Sequence, residues 1–540
     1  MVNKGKLKGT GGGLRVVSAA VMLTLLLHGC SASTSKAPWT PFDVEAESLH
    51  PVTAPADTEP EPAAAEPAAT GGPPPVEIEL TVEEAILQSL QNNRALAVER
   101  YRPAIRSTRE EEILADFDPV LSGRVSANVR RLPSDGGFDT DESGTAIVTL
   151  NRDYPAGTGV GLEFSADPSA DDQDSIRFGL TVTQALLNGR GADVNLAEVR
   201  QARIDTRISE YELRGFTESL VARVEEAYWN YDLAGRSVDI YERSLALARL
   251  ALTETEERIK VGILPEVELA AAQAEAALRS EELINARSEM EIARINLLRL
   301  FNPPGGEPWS RRVRLLDFPL VPEGGLDDVE DHARLAIQSR PDLKEARLRL
   351  KRGDLELVRT RNGLLPRLDF FITLGKTGYS DSFLSTGGQL ADESFDFEAG
   401  LIAQWPLSNR AALALDEQAF LGRRQAGDAL ENLEQTVQVD VRRAHIEASS
   451  LKEQISATAA TRKLQEEKAR AETEKFRVGR STAFLLAQVQ RDLVESQITE
   501  VEAVVSYLKA LVDLYRLEGS LLDRRGIEAP GAFTSPAPVE

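Results

Sequence analysis

The chain has 540 residues, a formal charge of −24 and a pI near 4.8. That acidity argues against nucleic-acid binding, because neutralising phosphates needs clustered Lys and Arg. One cysteine excludes an internal disulfide framework, and the four histidines, His28, His50, His332 and His445, are scattered with no plausible metal cluster, so no cofactor is expected.

The chain opens on a targeting segment, residues 1–30. Lys4, Lys6, Lys8 and Arg15 precede a short apolar stretch, Val16 to Leu27. Spanning a bilayer takes about 20 apolar residues, so this stretch is too short to cross one. It ends in Leu27-His28-Gly29-Cys30, which resembles a bacterial lipoprotein signal whose cysteine becomes the lipid-modified first residue. His28 departs from the small residue usual at its position, and an ordinary signal peptide cut after Ala32 is the alternative. Both routes export the protein. Residues 31–75 are rich in Pro, Ala, Glu and Ser; they bury too little surface to offset the entropy of ordering, and read as a disordered tether.

A first structural unit follows, residues 76–325. Thr81 with Glu84 forms a capping-box pattern opening a helical stretch from Val82 to about Ala115, with Pro103 as a kink. After Pro119 the pattern changes to period two. Leu121, Val125, Ala127 and Val129 alternate with Ser122, Arg124, Ser126 and Asn128, and Ile176, Phe178, Leu180 and Val182 alternate with Arg177, Gly179, Thr181 and Thr183. Between them, Ala146 to Leu150 and Val160 to Phe164 form an additional hairpin through "NRDYPAGTG". The "GTGVG" at Gly157 precedes a strand rather than a helix, which makes it a turn and not a phosphate loop. From about Ala192 to Lys260 there is no proline, roughly 100 Å of helix at 1.5 Å per residue. Its apolar stripe (Leu220, Val224, Ala227, Tyr231, Ala234, Val238, Tyr241, Leu245, Ala248, Leu252) steps by four and three, a heptad seam that demands a partner helix.

The second unit, residues 326–521, repeats the first. Asp328 to about Asn362 is helical, broken at "SRPDL" where Pro341 suits a first helical turn. After Pro366, Leu368, Phe370, Ile372 and Leu374 share one strand face, and Phe395, Phe397, Ala399, Leu401, Ala403 and Trp405 share another. The heptad seam returns as Val437, Val441, Ala444, Ala448, Leu451 and Ile455. An offset of 217 carries Val261 to Val478, Gly262 to Gly479 and Leu297 to Leu514, and roughly a hundred residues align without a gap, so the chain is a tandem duplication. Residues 522–540 read as a disordered tail. Amphipathic strands of about ten residues suit a tilted crossing of a bilayer, and equally a soluble half-buried sheet.

"LTVEEAILQSLQNNRAL", "SRPDL", "LLP" at Leu364, "TQALLNGRG" and the two Val-Gly turns together resemble the TolC-like outer-membrane efflux proteins, over about Leu80 to Leu521. The resemblance implies a mixed α and β membrane protein: a homotrimeric β-barrel in outer-membrane lipid, about four strands per protomer, continued by a long α-helical barrel into the periplasm. Asn302 to Gly325 and the chain after Gly519 would supply an equatorial region. It implies a passive channel serving a periplasmic adaptor and an inner-membrane pump (RND, ABC or similar) in efflux or secretion. In the family, Val261-Gly262-Ile263 and Val478-Gly479-Arg480 would be adaptor-docking tips; a turn with no partner is the plainer reading. Where related channels ring their pore with aspartates this sequence has Leu485 and Gln488, while Glu268 aligns with Leu485 and would either ring a lumen or be a solvated helix-terminal glutamate.

Phe370, Phe371, Phe395, Phe397, Tyr154 and Trp405 are the candidate membrane-facing aromatics. One chain offers four to six strands where membrane barrels start at about eight, so inserted strands force association. Twelve strands per trimer are expected, or eighteen if the extra hairpin joins the wall. No nucleophile sits in a legible constellation with a histidine, so no enzyme is expected. The competing reading is a periplasmic coiled-coil structural or adaptor lipoprotein.

Overall fold

The computed structural model describes residues 77–134, 137–167, 174–303, 308–322, 324–380 and 395–527; Cys30, the export signal and the tether expected over 31–75 lie outside them. In chain order the elements are β1 (Glu77–Leu80), α1 (Val82–Asn92), α2 (Arg94–Glu99), α3 (Tyr101–Leu114), β2 (Val120–Ser134), β3 (Gly137–Tyr154), β4 (Thr158–Asp167), β5 (Asp174–Ala185), α4 (Ala192–Asn195), α5 (Ala197–Lys260), α6 (Val267–Phe301), β6 (Arg312–Leu315), α7 (Val329–Ser339), α8 (Pro341–Gly363), β7 (Arg367–Ser380), β8 (Asp396–Gln404), α9 (Arg410–Arg477), α10 (Ala483–Leu517) and α11 (Leu521–Arg524). They fall into two compact units. One holds residues 117–190 and 367–404; the other holds 75–116, 191–366 and the chain from 405 onward.

The first unit is a six-stranded antiparallel sheet, β2-β3-β4-β5-β7-β8. The extra hairpin β3–β4 enters the sheet between β2 and β5. This corrects the expected count of about four strands per protomer to six. The hairpin joins because each of its strands finds a full ladder: β3 pairs β2 from Val120–Asn151 to Ser134–Gly137, and β4 pairs β5 from Thr158–Gln184 to Asp167–Ser175. Leaving it outside would strand those backbone groups without partners.

The second unit is helical. Two hairpins repeat the duplication: α5 returns through α6, and α9 through α10. The Thr81–Glu84 capping box forms in both directions, the Thr81 hydroxyl accepting from Glu84 N and the Glu84 carboxylate from Thr81 N. Pro103 does not kink the stretch that follows. The chain breaks earlier, at Asn93 and Arg100, and Pro103 lands in the first turn of α3, where its missing N–H has no intrahelical partner to lose. Pro341 opens α8 as expected.

The main core gathers on α5, whose seam residues Leu220, Val224, Tyr231, Val238 and Leu245 are all buried. β1 and β6 pair in parallel beside it, and the hydroxyls of Tyr228 and Tyr231 donate to the Leu80 and Val313 carbonyls at 3.0 and 2.9 Å. Burying a phenol without such a partner is costly, so these bonds fix where the two-stranded sheet lies. Leu521 and Leu522 complete the same core. Of the tail expected over 522–540, residues 522–527 are described, with Leu522 fully packed; the remainder lies outside the described residues.

Candidate functional site

Because cross-strand partners share a face, the register sorts the sheet's side chains into two sets. One face carries Leu121, Leu150, Leu162, Leu180, Leu374 and Phe397 in a single row across all six strands. Neighbouring rows add Phe164 with Phe178, and Val160, Val182, Ile372 and Ala399. Along β7 the band runs from Leu368 to Leu374, roughly 20 Å of strand, and ends at Lys376. Much of this band is uncovered, with Leu121, Phe397 and Leu401 60% or more exposed, while Ala166 and Ile176 on the same face are buried. Large contiguous apolar surface of this kind marks contact with lipid or protein.

The opposite face is polar. Ser122 and Thr149 hydrogen-bond at 2.6 Å, Thr181 and Thr373 at 3.1 Å, and Arg177 donates to Asp396 at 2.6 Å. Apolar outside with polar inside is the alternation of a membrane barrel wall. A soluble sheet of the same period would cover its apolar face, and here that face is open. All six strands have 9 residues or more, enough for a tilted crossing. Among the described residues the sheet is not closed on itself: β2 and β8 each pair along one edge only.

Phe370 and Phe397 lie on the apolar face, 37% and 60% exposed, and Tyr154 shares it through Thr158 and Gln184. Phe395 and Trp405, flanking β8 in sequence, are 79% and 73% exposed. Phe371 belongs to the other set. Its ring lies over Gly400, where an added Cβ would sit 2.9 Å away, so this aromatic is on the polar face and leaves the candidate list.

The repeated Val-Gly turn is a helix stop built the same way twice. Gly262 and Gly479 adopt φ of +77° and +75°, the left-handed conformation that costs glycine nothing. Gly262 N donates to Ile259 O and Ile263 N to Arg258 O; Gly479 N and Arg480 N repeat this to Phe476 O and Lys475 O. That pair of bonds is a Schellman motif, which satisfies the last carbonyls of α5 and α9. It leaves Val261, Ile263 and Val478 each about two-thirds exposed at the tips.

Two contacts join the tips of one chain. Arg258 Nη1 donates to Phe476 O at 3.1 Å with its guanidinium 5.0 Å from the Phe476 ring centre, and Glu268 Oε2 accepts from Ala483 N at 3.2 Å. Glu268 thus places its charge at the N–H groups opening α10, a favourable position for a carboxylate. The other two constriction candidates, Leu485 and Gln488, are exposed one turn apart on α10, and Thr482 caps that helix by accepting from Leu485 N at 3.2 Å. Spacing alone gave no sign of the Arg258–Phe476 and Glu268–Ala483 links, because each joins residues more than two hundred positions apart.

With this geometry in place, the chain can be set beside known proteins. The outer membrane efflux protein family matches residues 85–302 and 333–520, the two halves of the duplication. The probable efflux pump outer membrane protein TtgC and the antibiotic efflux pump outer membrane protein ArpC, both of Pseudomonas putida, are 23% identical over 453 residues, covering 81% of this chain and 82% of theirs. The Campylobacter jejuni CmeC outer membrane channel shares the fold at a TM-score of 0.63 and 14% identity, over 82% of this chain and 86% of its own.

Proposed function

Since the chain belongs to the outer membrane efflux protein family, we propose that it is the exit duct of a three-part pump, a trimer docked at its helical tips on a periplasmic adaptor and, through it, an inner-membrane pump. The observation that carries this reading is the six-stranded sheet with one lipid-compatible face, one polar face and two open edges. In hydrocarbon each unpaired edge group costs several kcal/mol, so the sheet must close with copies of itself. Three protomers of six strands make eighteen, inside the range of known barrels and wide enough to enclose water. Among the described residues no helix is long and apolar enough to cross a membrane; the strands are the crossing segments.

The polar face then lines the bore and the apolar band, with Phe370, Phe395, Phe397 and Trp405, meets outer-membrane lipid, while Cys30 carries a lipid anchor. Passage needs no bond chemistry and no cofactor. The exposed Val261, Gly262 and Ile263, with Val478, Gly479 and Arg480, offer two grooves of matching build for the adaptor. Leu485 and Gln488 rim the resting opening, and Glu268 serves it indirectly by tying the two tips together. The name of the antibiotic efflux relative supports small toxic compounds as cargo.

Deleting the gene should raise sensitivity to several unrelated small toxic compounds. The wild-type chain should restore resistance, and a Val261→Asp, Val478→Asp double variant at normal membrane levels should not. A Cys30→Ser protein that washes off membranes in carbonate would favour the periplasmic scaffold reading instead.

A further inference from the structure

The chain's two described histidines meet although they lie more than a hundred residues apart. His332 on α7 is 3% exposed, and its Nδ1 lies 2.5 Å from Glu518 Oε2. Glu518 is itself wholly buried at the C-terminal cap of α10, where it also accepts from Arg524 Nε at 3.0 Å and from the Ser520 hydroxyl. A carboxylate accepts, so the ring proton of His332 sits on Nδ1 and Nε2 is left as a lone pair. That Nε2 is buried without a hydrogen-bond partner among the described residues. Buried polar atoms are nearly always satisfied, and one that is not points to something else at the site.

His445 on α9 faces it, with ring centres 5.7 Å apart and planes 52° apart. Its Nε2 lies 3.1 Å from the Asp327 carbonyl oxygen, which can only accept, so here the free lone pair is Nδ1. Each imidazole therefore has one nitrogen anchored through its proton on an oxygen and the other nitrogen bare. Protein-bound metals are held by histidines oriented in this way. With metal–nitrogen bonds of 2.0–2.1 Å an ion sits about 3.2 Å from each ring centre, which allows two rings on one ion to be at most about 6.4 Å apart. The observed spacing fits within that limit.

We propose that His332 Nε2 and His445 Nδ1 form a two-histidine site for an imidazole-seeking transition cation, Zn²⁺ or its neighbours Ni²⁺ and Cu²⁺. Mg²⁺ and Ca²⁺, which prefer oxygen, are not taken. Glu518 is a positioning residue that holds the His332 ring. No group of three or more ligating side chains occurs among the described residues, so these two histidines are the side-chain ligands of the proposed site. An ion here clasps α7 to α9 beside the end of α10. The inference stands apart from the channel reading.

The test titrates chelator-stripped, full-length protein with Zn²⁺ alone by calorimetry, beside His445→Gln, His332→Gln and Glu518→Gln. Ligands elsewhere in the chain are common to all four proteins, so differences report this site. Wild type should bind one more Zn²⁺ per chain than either histidine variant, and Glu518→Gln should keep that ion with about tenfold weaker affinity. Zn²⁺ should raise the melting temperature of wild type more than that of His445→Gln, and Mg²⁺ should do neither. His445 is only half-buried, so its variant folds even where a change at buried His332 does not. Equal Zn²⁺ uptake and equal melting shifts in wild type and His445→Gln would overturn the proposal.

Discussion

The two long helices of the duplicated unit, α5 and α9, are close in length at 64 and 68 residues, yet they meet their own chain very differently. Twenty-three residues of α5 are buried, including Leu213, Leu220, Tyr228, Trp229 and Tyr231. On α9 only eight are, and Phe476 is the one large apolar residue among them. Conversely α9 exposes Leu413, Leu415, Phe420, Leu421, Val439, Ile446 and Leu464, where α5 exposes Leu247 and Leu250. One copy of the repeat has become the core of the protomer; the other has kept an apolar surface that a single chain leaves uncovered. Such surface on a helix calls for a partner, and in the proposed trimer the neighbouring protomers supply it.

That contrast can be broken at several points. Charging the uncovered face with Val439→Asp and Ile446→Asp should abolish assembly while leaving the protomer folded; cross-linking and circular dichroism on the same sample check both halves of the statement. The matching insult to α5 should act on folding instead. Leu220→Ala should cost about 3 kcal/mol, as deletions of fully buried leucines do, and lower the denaturation midpoint. If Leu220→Ala changed assembly and not stability, the contrast would be reversed.

At the tips the two halves should behave alike. Gly262→Ala and Gly479→Ala each force a side chain into the left-handed region at a cost of about 1 kcal/mol, and hydrogen exchange should rise in the last turns of α5 and α9 with the rest unchanged. A smaller effect, present in both halves, runs through pH. Burial pushes Glu345 up to about 7 against the pull of Arg349, with Glu212 adding to the rise, and burial likewise pushes Glu218 to about 7 against Arg214. A carboxyl raised in the folded state binds extra protons there. Its stabilisation is complete below about 4.5 and lost as pH rises towards about 7. Melting temperature should fall across that window, and Glu345→Gln should flatten the fall; an unaltered slope would count against the buried acid.

Much of this architecture was legible because it repeats or alternates. The heptad steps of α5, the Thr81–Glu84 box, Pro341 and the paired Val-Gly turns are local patterns whose physics is contained in a few neighbouring residues. What stayed hidden is set by distant partners. The β3–β4 hairpin showed its alternation, but whether it joins the sheet depends on β2 and β5. Phe371 sits beside Phe370 in sequence yet belongs to the opposite face, and the alternation already carried that signal. That Glu268 accepts from Ala483 N–H, and that His332 and His445 come together where α7 packs on α9, likewise depends on partners far away in sequence.

In the proposed trimer the sheet closes only with copies of itself, and native mass spectrometry of the protein released from lipid nanodiscs, paired with conductance in planar bilayers, tests this directly. Three chains per particle and ion conduction by those particles is the predicted result. A single chain, stable in the bilayer and sealed to ions, would contradict it.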